Sequence, residues 1–232
     1  IRAVFKEPGD AFVYDLRRSR EESDLPSNKI DEDVYSSYFL FNFSKGPLRT
    51  LTGLRVEHTN LSYSAQEVNI NLDGSYRDTV GIASGNNYTN WFPSFHMRWF
   101  ATPSITLIGS WTSTIQRPWY GAVVPYRKIN YDAREIEEGN PELNPTLYDN
   151  LDLSIDYRLS ESSLLSLELF HKDVEDVVFW EKTLLTSGPF DGFQRSHNAN
   201  GPEASESGLR FIFKQSLASL ADWLEPVSVN LT

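Results

Sequence analysis

The chain has 232 residues and a formal net charge of −11, with 32 Asp and Glu against 21 Lys and Arg. That balance argues against a nucleic-acid partner, because phosphate recognition needs a basic footprint. There is no cysteine and no run of 18 apolar residues, which removes thiol chemistry, disulfides and transmembrane helices.

In chain order, residues 1–33 are charged and irregular, broken at Pro8-Gly9 and Pro26-Ser27. They read as a large surface loop, with a short strand over 11–16 as the one regular piece. Residues 34–43, VYSSYFLFNF, form the first strand by their aromatic and β-branched content. Ser44-Lys45-Gly46-Pro47 is a tight turn. The second strand covers 48–63, with Thr50, Thr52, Leu54 and Val56 on one parity and Gly53, Arg55, Glu57 and Thr59 on the other. A polar loop over 64–89 is expected next. The third strand, 91–100, sets Trp91, Pro93, Phe95, Met97 and Trp99 against Ser94, His96 and Arg98. Pro93 removes a ladder donor and is therefore placed near the strand's start. The turn over 101–104 leads into a fourth strand, 104–115, with Ile105, Leu107, Gly109 and Trp111 opposite Thr106, Ser110, Thr112 and Thr114.

A loop over 117–146 ends in Gly139-Asn140-Pro141-Glu142-Leu143-Asn144-Pro145, whose prolines forbid a helix. The fifth strand then alternates cleanly: Leu151, Leu153, Ile155, Tyr157 and Leu159 against Asn150, Asp152, Ser154, Asp156 and Arg158. A short turn over 160–163 opens the sixth strand, with Leu165, Leu167 and Leu169 opposite Ser166, Glu168 and Lys172, continuing toward Trp180. A third long loop covers 183–203. The seventh strand, 204–215, sets Leu209, Phe211 and Phe213 against Arg210, Ile212 and Lys214. A connector over 216–226 precedes an eighth strand from Val227. No helix-period segment competes with these strands. The chain begins at Ile1 and ends inside an alternating run, as expected of a piece of a longer protein.

The segment from Gly139 to Tyr157 resembles a motif of the TonB-dependent outer-membrane receptors, Gly-Asn-Pro-acidic-Leu-x-Pro leading into a strand of the Asn-x-Asp-Leu-x-x-x-Tyr kind. Gly53-Leu54-Arg55-Val56-Glu57-His58-Thr59 and the strand ending at Gln116-Arg117-Pro118 resemble further pieces of that family. The resemblance implies a 22-stranded barrel around an N-terminal plug, of which residues 1–232 would be a partial barrel domain. It also implies an outer-membrane location, lipid and the TonB complex as partners, and energised uptake of a nutrient.

Two features of the sequence favour a membrane barrel over a soluble sheet. Connections alternate between short and long, which gives an up-and-down antiparallel meander with all its long loops at one end. Charge falls on one parity: Arg55, Glu57, Arg98, Asp152, Asp156, Glu168, Arg210 and Lys214 all oppose the apolar side chains. A water-filled or plugged lumen tolerates them. The competing reading is a soluble all-β carbohydrate-binding or adhesion domain. The two differ in what Leu151, Leu153 and Ile155 meet: lipid in the first, a protein core in the second.

No nucleophile triad, glycine-rich phosphate loop, zinc motif or EF-hand is present, so neither an enzyme nor a cofactor is expected. Asp132, Glu135, Glu137 and Glu138 match no metal-ligand spacing and read as a solvated loop. The loop over 117–146 carries Trp119, Tyr120, Tyr126, Arg127, Lys128, Tyr131 and Asp132, and Trp180 lies at the same end. Aromatics among hydrogen-bonding groups suit a small-molecule nutrient with apolar faces and polar edges, such as an iron chelate, a vitamin or an oligosaccharide. The same aromatics could instead pack the loop onto its neighbours.

Overall fold

A computed structural model describes residues 15–71, 73–161, 163–216 and 228–231. Its frame is one antiparallel sheet of eight strands in the spatial order β1-β2-β3-β4-β7-β8-β11-β12. These are β1 (Lys29–Lys45), β2 (Leu48–Ile70), β3 (Tyr76–Phe100), β4 (Ile105–Gln116), β7 (Thr146–Ser160), β8 (Ser163–Glu175), β11 (Ala204–Ser216) and β12 (Ser228–Leu231). Each pairs with the next in turn, as the alternating pattern predicts: an all-β up-and-down meander, open at both edges among the described residues. A second sheet, β5-β6-β10-β9, is built from the long connections: β5 (Arg127–Asn130), β6 (Glu135–Glu138), β9 (Val178–Leu184) and β10 (Gln194–Asn200).

Register gives the sheet two chemically opposite faces. One cross-strand row runs Thr50, Met97, Gly109, Leu153, Leu169, Leu209. The neighbouring row on the same face runs Leu48, Trp99, Leu107, Ile155, Leu167, Phe211. The row between them, on the other face, is Arg49, Arg98, Ile108, Ser154, Glu168, Arg210. Leu151, Leu153 and Ile155 are exposed, so no described protein layer covers the apolar face. A soluble sandwich would bury them. On the polar face Ser166 donates to Asp156 at 2.6 Å and Arg210 pairs with Glu168 at 3.1 Å.

The dimensions fit a bilayer. The 12 residues of β4 reach about 40 Å, enough to cross a hydrocarbon core of about 30 Å at the tilt of a barrel strand. Trp91 and Trp99 lie on the apolar face of β3, about 27 Å apart along the strand and near opposite margins of the apolar band.

The turns at the short end are as expected. Gly46, at φ 56, supplies the positive φ that the two-residue β1–β2 hairpin requires at its first position. The long end differs from expectation in several places. The polar stretch 64–89 is not a loop: β2 and β3 continue as a hairpin to Ile70 and Tyr76, and only the tip is a turn. Pro93 consequently sits deep inside β3 rather than near its start. It is tolerated because the β3–β4 ladder stops at Ser94↔Thr112, one residue short of the missing donor. The expected surface loop over 1–33 contains α1 (Leu16–Asp24) and the start of β1; of the short strand expected over 11–16, residues 11–14 lie outside the described residues. Asp15 caps α1 by accepting from Arg18 N at 3.0 Å, and i,i+4 pairs Arg18–Glu22 and Arg20–Asp24 run along it.

The loop over 117–146 holds α2 (Tyr120–Val123), β5 and β6, and the fifth strand already starts at Thr146. The sixth strand does not run on to Trp180. It ends at Glu175, the chain reverses at Asp176 (φ 55), and β9 joins the second sheet. The loop over 183–203 contains β10. Of the connector over 216–226, Ser216 belongs to β11 and the rest lies outside the described residues, as do both ends of the eighth strand as expected from sequence.

Candidate ligand-binding mouth

At the long-loop end the connections are bound into one assembly. Its small core is Tyr63, Ala122, Val123 and Leu143, with Ile30, Leu61 and Val178 packed around it. Leu143 is 2% exposed, so the leucine of the Gly-Asn-Pro-Glu-Leu-Asn-Pro motif is the plug of this core. Gly139 is required there because a Cβ would lie 1.8 Å from the Val124 carbonyl oxygen. The motif's asparagines reach the other long connection. Asn140 Nδ2 donates to the Asn198 carbonyl at 3.0 Å, and Asn200 Oδ1 accepts from Asn144 N at 2.9 Å.

Charge completes the assembly. Glu138 on β6 accepts from Arg127 Nε on β5 at 2.9 Å and from Arg195 Nε on β10. The acidic run expected to be a solvated loop is therefore partly structural, and among the described residues no acidic or histidine cluster could hold a metal ion. Nearer the membrane, Arg117 reaches from the end of β4 across β3. It pairs with Glu57 of β2 at 2.7 Å and with Glu32 of β1 at 3.5 Å. Glu57 is 4% exposed and also holds Arg55, so a buried carboxylate meets two guanidinium groups. This roots the loop to the inner wall.

The residues singled out in sequence separate into two groups. Trp119, Tyr120 and Tyr126 line one groove of about 1100 Å³ between α2 and α1, shared with Arg17, Arg18 and Lys128. Trp119 is 64% exposed and Tyr120 54%. The Trp119 ring rests against Gly121, where a Cβ would meet it at 1.7 Å. Tyr120 Oη donates to Glu32 at 2.7 Å, and that acceptor raises its pKa; burial, then the bond to Glu137, raises that of Tyr126. Both stay protonated donors at neutral pH. Arg127, Tyr131, Asp132 and Trp180 do not line this groove. Arg127 is held by Glu138, and Tyr131 packs edge-on to Phe193 at 5.9 Å while donating to the Ile70 carbonyl. Trp180 stands on β9, opposite Asn198, and Asp132 is exposed in the β5–β6 turn. Sequence reasoning named Lys128 but missed the charged helix beside it, because nothing in a polar helix announces where it docks: Arg17 and Arg18 line the groove together with Asp15, Glu21 and Glu22, and Arg18 pairs with Glu22 at 2.8 Å.

Tyr120→Phe removes one hydrogen bond and leaves the ring. We expect hydrogen exchange in the α2 loop to speed up roughly five-fold, the equivalent of about 1 kcal/mol of local stability. Unchanged exchange would show that the Glu32 contact does not hold the loop.

Residues 14–232 match the model of the outer membrane protein beta-barrel family. The chain belongs to this family. Its place is the outer membrane, and the apolar face is the lipid-facing one. Among solved structures it is similar to a double mutant of the hemophore receptor HasR of Serratia marcescens, in complex with its hemophore HasA and heme. That match has 12% identity and a TM-score of 0.59, over 79% of this chain and 32% of the receptor. It is similar also to a mutant of the ferric enterobactin receptor PfeA of Pseudomonas aeruginosa in complex with enterobactin, at 15% identity and TM-score 0.53, over 82% of this chain and 34% of the receptor. The ferric-catecholate import receptor Fiu of E. coli K12, in a closed form, matches at 12% identity and TM-score 0.51, over 82% and 26%. At such identities the likeness is one of fold, and the chain spans about a third of these receptors or less. No curated protein sequence matches the chain.

Proposed function

We propose that residues 1–232 are part of the barrel of a TonB-dependent receptor that takes a scarce nutrient across the outer membrane. The observation that carries this reading is the coincidence of three things on one sheet. It has an apolar belt for lipid, a charged wall opposite, and a long-loop end folded into a groove with two exposed aromatics. The barrel would supply a rigid wall and the loops the first capture of ligand. Energy for release would come through TonB, acting on parts of the protein beyond these strands. An iron chelate, a vitamin or an oligosaccharide would suit aromatic faces beside hydrogen-bonding groups of both charges, Arg17, Arg18 and Lys128 with Asp15, Glu21 and Glu22. The ion pairs along the inner wall suit a lumen that is wet or filled by a plug.

The test is uptake by cells carrying the full-length protein, with and without TonB, using a panel of radiolabelled ferric siderophores, vitamins and oligosaccharides. One class should bind at the surface in both strains and enter only when TonB is present. Entry at equal rates in both strains would overturn active transport.

A further inference from the structure

The groove between α1 and α2 is lined by three cations, Arg17, Arg18 and Lys128, and three carboxylates, Asp15, Glu21 and Glu22, so its formal charges cancel. Both guanidinium groups already have a carboxylate one helical turn on: Arg17 meets Glu21 at 3.8 Å and Arg18 meets Glu22 at 2.8 Å. Lys128 lies opposite Glu137 across the β5–β6 hairpin. Further carboxylates stand behind the groove's two tyrosines, Glu32 accepting from Tyr120 at 2.7 Å and Glu137 from Tyr126 at 2.9 Å. An anionic ligand would have to break these pairs, in a chain whose net charge is already −11. Carboxylates repel an anion, yet they accept strong hydrogen bonds from neutral hydroxyl groups.

Trp119 supplies a flat surface beside these groups. A Cβ on Gly121 would lie 1.7 Å from Cζ3 of the indole, with Cε3 and Cη2 both at 2.6 Å. A Cβ above the face of the ring would stand nearer those two atoms, so Gly121 holds the ring largely by its edge. A ring face is left open, in keeping with the residue's 64% exposure. Leu25, Pro26, Ile30 and Val124 add apolar surface to the same groove. A sugar ring has the matching chemistry: C–H faces that stack on an aromatic, and hydroxyl groups that both donate and accept. We propose that this groove takes a neutral oligosaccharide, stacked on Trp119 and hydrogen-bonded by the charged side chains of α1. The inference rests on the nutrient-capture reading above and selects among its three ligand classes. An anionic iron chelate would find both guanidinium groups already paired.

The test titrates the full-length protein in detergent with fluorescent neutral gluco-, manno-, xylo- and galacto-oligosaccharides, and with a ferric tricatecholate as the anionic probe. At least one neutral series should bind saturably. Its affinity should be the same in low and high salt, because no charge pair forms across the contact. Trp119→Phe, which keeps an aromatic face, should bind within about three-fold of the unaltered protein, and Trp119→Leu roughly ten-fold more weakly. The salt series uses the unaltered protein, so it does not depend on how the variants fold. Four results would each overturn the proposal: no saturable binding by any neutral series, as when another part of the protein fills the groove; affinity that falls with salt; equal affinity of the Phe and Leu variants; or tricatecholate binding that Trp119→Leu abolishes. The transport reading fails separately. A tricatecholate bound here and entering cells only with TonB would remove the saccharide and keep the receptor. A saccharide bound here but entering equally without TonB would do the reverse.

Discussion

Leu153→Arg should abolish assembly in the outer membrane, while Ser154→Arg, one residue further on, should assemble. Leu153 is 48% exposed and stands in the apolar row between Gly109 and Leu169, with the belt continuing on both sides. An arginine near the bilayer midplane on the lipid face costs about 2–4 kcal/mol, because hydrocarbon offers no partner for the guanidinium. Ser154 lies in the opposite row, directly across from Glu168 and beside Ile108. There an arginine would face water and a carboxylate, in a row that already contains Arg98 and Arg210. Heat-modifiable mobility of the full-length variants on gels measures the outcome. Equal assembly of the two would mean that the faces have been assigned wrongly.

That pair of neighbours also shows why the barrel was legible in the sequence. Where a strand separates lipid from water, every second residue has one permitted chemistry, so the period of two is written without gaps from Leu151 to Leu159. Beyond the membrane both faces of a strand are wet, and the constraint disappears. The stretch 64–89 is a long paired hairpin with one register shift, at Asn69–Ile70 near its tip, yet its glycines, asparagines and serines carry no alternation of polarity. Its order comes from the ladder to β2, which leaves no mark on side-chain type. The same holds for the second sheet. EIEE and RKIN are strands because β6 lies between β5 and β10, a partner nearly 60 residues away in the chain.

The helix α1 was hidden for a related reason. LRRSREESD buries none of its residues, so it shows no apolar stripe; it is held by the Asp15 cap and by charge pairs one turn apart. Its docking is equally polar: Asp24 accepts from Thr79 Oγ1 at 3.0 Å, and Arg20 lies over the Tyr76 ring. The site was half legible on the same grounds. A cluster of aromatics in a long loop points to a candidate mouth, but which of them face a groove depends on contacts distant in sequence. Tyr131 was spent on Phe193 and the hairpin tip, and Arg127 on Glu138.

On the transport function proposed above, Trp119→Ala combined with Tyr120→Ala should lower the affinity of the full-length protein for the nutrient by at least roughly thirty-fold. The two rings are among the most exposed aromatics of the long-loop end and line a single groove with Tyr126. Truncating one anchoring aromatic at a binding hot spot costs on the order of 2 kcal/mol, and that energy corresponds to about thirty-fold in affinity. Neither ring belongs to the buried core of Tyr63, Ala122, Val123 and Leu143, so the loop, although loosened by the lost Tyr120–Glu32 bond, should keep its fold and the protein should reach the surface. Tyr131→Ala is the contrasting variant. It removes a ring packed on Phe193, outside the groove, and should loosen the junction between β5 and the hairpin tip with a smaller effect on binding. Binding is measured on intact cells at matched surface levels. Unchanged affinity in the double variant would make these rings packing residues and move the site to another part of the mouth.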